Sequence, residues 1–183
     1  KPTRRGLGLR VAALHPPVHR VMPLAAIDET VTVGVGSSPE HSVHLPPMRF
    51  AGNRHDIPTS TTLTRFERGL FGVRWVHEIP HDGAVITITK TVHLIDGHNT
   101  CAIKYGCSSE GVPVRLALRP LIRLDGHHTL RLADDQSRIR ARQTQAGCIV
   151  TDRQLGISLS SEHAAFSCDQ TWYRGLYYAL EAD

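Results

Sequence analysis

Two pairs of adjacent carboxylates, Asp28–Glu29 and Asp134–Asp135, are the residues of this chain whose types best suit hydrolytic chemistry. Two-carboxylate hydrolysis needs one carboxyl group on each side of the bond that is cut. Adjacent residues of a strand point to opposite faces, so neither pair can form a facing site by itself. Asp28–Glu29 is predicted at a strand end and Asp134–Asp135 in a loop, which favours structural roles for both pairs.

Histidines and serines supply the other candidate reactive groups. The chain has 12 histidines, and the close pairs are His41 with His44, His77 with His81, and His127 with His128. These pairs lack cysteine or carboxylate partners at the spacing of zinc sites, so surface or half-buried histidines are favoured and no metal or cofactor is expected. Ser108–Ser109 and Ser160–His163 lack the Gly-x-Ser-x-Gly elbow of a nucleophilic serine and are interpreted as turns.

The four cysteines, Cys101, Cys107, Cys148 and Cys168, show no Cys-x-x-Cys spacing. A chain of 183 residues can bury a core without disulfides. Free and mostly buried thiols in a reducing cytoplasm are therefore favoured over bridges. No apolar run reaches the length of a membrane-spanning helix, about 18 residues, and no secretory signal is recognisable, so a cytoplasmic location is expected.

The elements that must position these groups are strands, because the apolar pattern has a period of two over most of the chain. The clearest strand is 84–95, which is rich in β-branched residues with Thr and Lys on alternate positions. Asp82–Gly83, Asp96–Gly97 and Asp152–Arg153 are predicted turns. Other strands are predicted at 31–35, 73–79, 100–105, 112–122, 138–142, 148–151 and 155–159. This pattern predicts an all-β fold, a large antiparallel two-sheet sandwich of about a dozen strands.

Two segments depart from this pattern. Residues 46–58 form a predicted polar loop, and 171–181 carry apolar residues at helical spacing, which predicts a short C-terminal helical segment. In a helix Trp172 would share a face with Leu176, and Tyr173 with Tyr177. A linker that packs on a partner domain is favoured for this segment over an aromatic platform for sugars.

The charge pattern bears on the partner class. The formal net charge is +4, with charges of both signs interspersed and no block of five basic residues. Few aromatic residues are interleaved with the arginines, which makes single-stranded nucleic acid the least favoured partner. The chain begins at Lys1, within two residues of a motif, and is expected to be a piece of a longer protein.

A series of motifs in a fixed order carries a family resemblance. Thr3-Arg4-Arg5 leads into an apolar strand, Pro16-Pro17 ends that strand, and a second apolar stretch leads to Ile27-Asp28-Glu29. The later motifs are Thr89–Val92, Asp96–Tyr105, Val114–Leu121, Asp125–Leu130 and Trp172–Arg174. Together they resemble the N-terminal domain of bacterial and archaeal glycogen debranching enzymes (amylo-α-1,6-glucosidases). Residues 36–66 match this pattern poorly, Gly6-Leu7 stands where the family has Tyr-His, and Gly126 replaces a family tyrosine.

The resemblance implies a fold and a role. Residues 1–170 would form a β-supersandwich of the galactose-mutarotase-like type, and 171–183 would begin a linker toward an α/α-toroid catalytic domain of the same polypeptide. That domain would carry the carboxylates that hydrolyse α-1,6 branches of glycogen, so the chain alone is expected to be inactive. The alternative is a stand-alone carbohydrate-binding module, and binding of glucan by the isolated chain would separate the two.

The resemblance also implies where this domain would meet sugar or its catalytic partner. The loop Leu124–Leu130 and the tail Trp172–Leu180 are expected at the domain interface. The candidate residues for carbohydrate or interface contact are Arg119, Asp125, His127, His128, Trp172, Tyr173 and Tyr177.

Overall fold

The computed structural model describes residues 9–15, 19–36, 40–48, 50, 61–126, 129, 139–153 and 155–176. These residues form eleven strands and no helix. They therefore contain no helix that is long and apolar enough to span a membrane. The strands are β1 (Arg10–His15), β2 (His19–Val33), β3 (His41–His44), β4 (Thr62–Arg68), β5 (Gly72–His81), β6 (Ala84–Leu94), β7 (Cys101–Ser108), β8 (Val114–Gly126), β9 (Arg140–Thr144), β10 (Gly147–Asp152) and β11 (Leu155–Ser160). The all-β prediction is confirmed.

The strands form three sheets, and the chain divides into two compact units. Unit 1 comprises Lys1, Asp28–Arg49 and His55–Arg119, and unit 2 comprises Pro2–Ile27, Phe50–Arg54 and Pro120–Asp183. One sheet has the order β1-β2-β3 with β8 also paired to β2, the second is β4-β5-β6-β7, and the third is β11-β10-β9. The strand pairs with a resolved register are antiparallel.

Unit 1 contains a four-stranded antiparallel meander, β4-β5-β6-β7, with tight turns. The β5–β6 hairpin is closed by Asp82 and Gly83, which have φ of 46° and 82°. Positive φ at both central residues matches the right-handed twist of the strands, which explains the Asp-Gly sequence. Gly97, with φ of 70°, turns the chain between β6 and β7. The predictions for both turns are confirmed.

The core of unit 1 lies between two sheets. Apolar residues of β2 and of the β3 region meet apolar residues of β5 and β6, and partly buried side chains of the β8 region pack against the cluster. The buried members are Val31, Val33, Val43, Leu45, Ile79, Ile86 and Ile88. This packing of one apolar face on another is the reason for the period of two in the sequence.

Unit 2 has its own hydrophobic cluster. Leu124, Ile139, Cys148 and Val150 are buried there. The partly buried side chains that pack against them are Ile122, Ala141, Leu155, Ile157, Phe166, Cys168 and Trp172. Three of these come from the irregular segment that follows β11, so this segment covers the cluster without regular secondary structure.

Two local predictions differ from the structure. β2 continues through Asp28–Glu29 to Val33, so the two carboxylates lie inside a 15-residue strand and not at its end. Residues 171–176 are not helical, and Leu176 instead forms an antiparallel bridge with Phe50. Packing of Phe166, Cys168 and Trp172 on unit 2 overrides the helical spacing here. Residues 177–181 of the expected helix, and 49 and 51–58 of the expected loop, lie outside the described residues.

Gly147 is expected to be intolerant of any side chain, because β10 and β11 approach closely there. A Cβ at Gly147 would overlap the Leu159 carbonyl oxygen and lie 2.9 Å from the Ser160 Cα. Gly147→Ala should therefore lower the free energy of unfolding by about 1–3 kcal/mol, the usual cost of overpacking. Gly106→Ala, where the nearest atom is the Thr89 Cβ at 3.9 Å, is the control. Equal urea midpoints for the two variants would contradict the prediction.

Candidate functional site

The most elaborate polar site in the described residues is centred on Glu29 in unit 1. Glu29 lies in the middle of β2 with an exposed fraction of 3%. Its Oε1 accepts hydrogen bonds from the Lys90 Nζ and the Tyr105 hydroxyl. These partners lie 61 and 76 residues further along the chain, so the site exists only in the folded protein. A buried charge is tolerated only with such compensation.

The meander supplies the walls of this site through one row of paired residues. Phe66 on β4 pairs with Trp75 on β5, Trp75 with Lys90 on β6, and Lys90 with Tyr105 on β7. Directly paired residues point to the same face of a sheet, so the four side chains form a continuous row.

The Lys90 ammonium lies close to two aromatic rings of this row. Its Nζ is 5.5 Å from the Trp75 ring centroid and 5.9 Å from that of Tyr105, which are distances of cation–π contacts. The ring of Phe66, which is 55% exposed, lies 5.6 Å from Trp75 at an angle of 51°. Trp75 is half-buried between the ammonium and this exposed ring.

Burial raises the pKa of the Tyr105 hydroxyl far above its ordinary value of 10.0, and the charge of Glu29 and the hydrogen bond to it act in the same direction. In the unfolded chain this hydroxyl ionises near pH 10, while in the folded chain it keeps its proton. The folded state therefore binds more protons above pH 10, and stability must fall there as the pH rises.

Tyr105→Phe should flatten the loss of stability at alkaline pH. A tyrosine that keeps its proton only in the folded state lowers the free energy of unfolding by up to about 1.4 kcal/mol per pH unit above pH 10. The variant lacks this group. Denaturant unfolding at about pH 9 to 11 measures the slope for wild type, Tyr105→Phe and the control Tyr173→Phe. An unchanged slope in Tyr105→Phe would contradict the assignment, whatever its stability at neutral pH.

Asp28 is held on the other face of β2. It has an exposed fraction of 2%, and its Oδ1 lies 3.0 Å from the His44 Nδ1 on β3. The Thr30 hydroxyl lies 3.4 Å from the same nitrogen. Asp28 and Glu29 therefore engage different partners in unit 1 and do not face each other across a cleft, as the strand geometry predicts.

Three other described histidines, His41, His77 and His81, also have specific neighbours. The rings of His41 and His81 stack with centroids 5.1 Å apart, and the His77 Nδ1 lies 3.3 Å from the Thr61 hydroxyl. Burial lowers the pKa of His77, an effect that the Glu29 charge opposes and the Lys90 charge strengthens. Among the described residues, no three His, Cys, Asp or Glu side chains are grouped to hold a metal ion.

Two of the candidate serines, Ser109 and Ser161, make local turn contacts. Ser161 accepts a hydrogen bond from the backbone N–H of His163 at 3.2 Å, which is a local turn contact. The Ser109 carbonyl accepts from the Val112 N–H at 2.8 Å in the turn between β7 and β8. These contacts account for both serine motifs as turns.

The candidate residues for carbohydrate or interface contact occupy different environments. Arg119 is exposed in the unit 1 part of β8, and Asp125 is half-buried in unit 2. Trp172 packs against the hydrophobic cluster of unit 2, and the Tyr173 ring stacks on Phe50 with centroids 6.4 Å apart. Three other candidates lie outside the described residues: His127, His128 and Tyr177.

Sequence reasoning missed the Glu29–Lys90–Tyr105 site. The grouping of Lys90 with the threonines of β6 was wrong, because Lys90 lies on the face of Ile86, Ile88 and Val92. A lysine at an apolar position of a period-two strand was the available signal. Its partners were not predictable, because pairing over 61 and 76 residues depends on the tertiary fold.

The family model described as "Glycogen debranching enzyme N terminal" matches residues 1–183, the whole chain. No curated protein and no solved structure gives a significant match.

Proposed function

Since the chain belongs to the glycogen debranching enzyme N-terminal family, we propose that it is the non-catalytic N-terminal domain of a hydrolase that debranches glycogen. The observation that supports a non-catalytic role is the burial of the two candidate carboxylates on β2. Asp28 and Glu29 are buried and engaged by His44 and by Lys90 with Tyr105. A glycosidase needs both carboxyl groups to reach the scissile bond from opposite sides.

The proposal extends to partners and location. The principal partner is an α/α-toroid catalytic domain of the same polypeptide, reached by a linker that begins at 171–183, and residues 1–170 form a supersandwich of the galactose-mutarotase-like type. Docking uses the loop Leu124–Leu130 and the tail Trp172–Leu180. The candidates for glucan or interface contact are Arg119, Asp125, His127, His128, Trp172, Tyr173 and Tyr177. The protein acts in the cytoplasm in glycogen breakdown and needs no cofactor.

An activity assay tests the non-catalytic part of the proposal. The purified chain, incubated with a branched α-glucan, is expected to release no reducing sugar or glucose. Asp28→Asn and Asp134→Asn are assayed in parallel. Release by wild type that either substitution abolishes would overturn the proposal, because it would place a working carboxylate in this chain.

A binding assay addresses the alternative of a stand-alone carbohydrate-binding module. Affinity electrophoresis in gels with and without glycogen measures retardation of the isolated chain. The supporting-domain proposal expects weak or no retardation by the chain alone. Strong retardation that is lost in Arg119→Ala or Tyr173→Ala would favour the binding module.

A further inference from the structure

A pair of thiols in unit 2 has no role in the proposed function. The Cys168 Sγ lies 2.7 Å from the Cys148 Sγ. Cys148 is buried in β10, and Cys168 is half-buried in the irregular segment that follows β11. The S–S bond of a disulfide measures about 2.05 Å, so closing one here requires the sulfurs to approach by about 0.7 Å more.

Both sides of this pair are held in place by other contacts. Cys148 is fixed between two neighbouring strands, opposite Gln143 of β9 and Leu159 of β11. The Gln143 side-chain amide donates a hydrogen bond of 3.2 Å to the carbonyl of Phe166, two residues before Cys168. Phe166 also packs on the cluster that contains Cys148. The approach of the two sulfurs is therefore set by the packing of unit 2.

We propose that Cys148 and Cys168 are a redox-active dithiol that closes to an intramolecular disulfide by exchange with an oxidised low-molecular-weight disulfide such as glutathione disulfide. The Cys168 thiolate, the more accessible of the two, attacks one sulfur of that disulfide and expels one thiolate. The Cys148 thiolate then attacks the Cys168 sulfur of this mixed disulfide and expels the second low-molecular-weight thiolate. The two cysteines lose two electrons and two protons, and two molecules of low-molecular-weight thiol carry them away.

Burial, together with the contact with Cys168, raises the pKa of the Cys148 thiol to about 11, although a hydrogen bond with the Arg142 backbone acts in the opposite direction. Few Cys148 thiolates exist near neutral pH, so the closing step is slow there and accelerates as the pH rises. Once closed, the bond attaches the segment of Phe166 and Trp172 to β10 covalently. The redox state of the pair then controls whether this segment can leave the sheet.

Mass spectrometry of the full chain tests closure directly. The native protein is equilibrated with glutathione disulfide, quenched with acid, unfolded in guanidinium and alkylated. Wild type is expected to lose two of its four alkylation sites and to yield a peptide crosslinked through Cys148 and Cys168. Cys107→Ser, which removes an exposed thiol of β7, is the control and should form the same crosslink. Four alkylated cysteines, glutathione adducts alone, or a crosslink through Cys101 or Cys107 would each overturn the proposal.

Thermal unfolding gives the second readout. The oxidised wild type should melt about 5–10 °C above the reduced form, because the bond closes a ring of about 20 residues in the unfolded chain. Dithiothreitol should reverse this shift. Cys168→Ser and Cys148→Ala should show no difference between oxidising and reducing conditions, while Cys107→Ser should keep the shift. An equal shift in Cys168→Ser would assign the effect to other thiols and contradict the proposal.

Discussion

Replacing Lys90 by Met should lower the free energy of unfolding by about 3–5 kcal/mol, the usual cost of removing one partner of a buried ion pair. The Glu29 carboxylate would stay buried with the Tyr105 hydroxyl as its remaining partner in the site. The cation–π contacts of the ammonium with Trp75 and Tyr105 would be lost as well. Methionine keeps most of the side-chain volume, so the effect reports the charge and not a cavity.

Denaturant unfolding with a matched control measures this effect. Lys104→Met makes the same chemical change at an exposed position of β7 and should alter stability by less than about 0.5 kcal/mol. The double variant Glu29→Gln/Lys90→Met should be more stable than the sum of the single changes implies, because it leaves no unpaired charge. If Lys90→Met costs no more than Lys104→Met, the site does not stabilise the fold.

Trp172→Ala should lower the free energy of unfolding by about 2–4 kcal/mol, near the lower end of the range for truncating a large buried aromatic residue because Trp172 is only half-buried. Its ring packs against the hydrophobic cluster of unit 2, so truncation exposes that cluster to water. The control is Phe71→Ala, because Phe71 is 57% exposed near the start of β5 and its truncation should cost less than about 1 kcal/mol.

The outcome for Trp172 also bears on the proposed docking of a catalytic domain. A loss of several kcal/mol assigns the ring to the core of this chain, and docking must then use other residues of the tail. A loss below that of Phe71→Ala would leave the ring available to a partner. Urea unfolding of the isolated chain decides between the two without any partner present.

Local sequence signals were sufficient for most of the meander. Asp82–Gly83 and Gly97 fix turns through backbone conformations that few residues adopt, and β-branched alternation defines β6. Such signals lie within a few residues of one another, so a single sequence contains them. The position of Asp28 and Glu29 inside β2 was not predicted, for the opposite reason. Two adjacent carboxylates suggest a strand end as long as their partners on β3, β6 and β7 are not known.

Two further features of the structure depend on contacts between distant segments of the chain. The apolar spacing of 171–181 fits a helix locally, but side chains of the preceding segment and Trp172 pack on unit 2 from an irregular backbone. The prediction of free thiols is confirmed, whereas the expectation that they are mostly buried is wrong, because only Cys148 is fully buried. The approach of Cys148 and Cys168, 20 residues apart, was not predicted because it arises from tertiary packing. In both places a contact between distant segments decides the local conformation.

The row that holds Lys90 also constrains how the meander assembles. If β6 slipped by one residue against β5, Thr89 or Thr91 would take the place of Lys90 opposite Trp75. The ammonium would then point away from Glu29, and the carboxylate would have no cation in the interior. A misaligned hairpin is therefore destabilised by the unpaired carboxylate, in addition to the lost burial of its isoleucines. The buried pair therefore adds an electrostatic preference for the native register to the preference that burial of the isoleucines already gives.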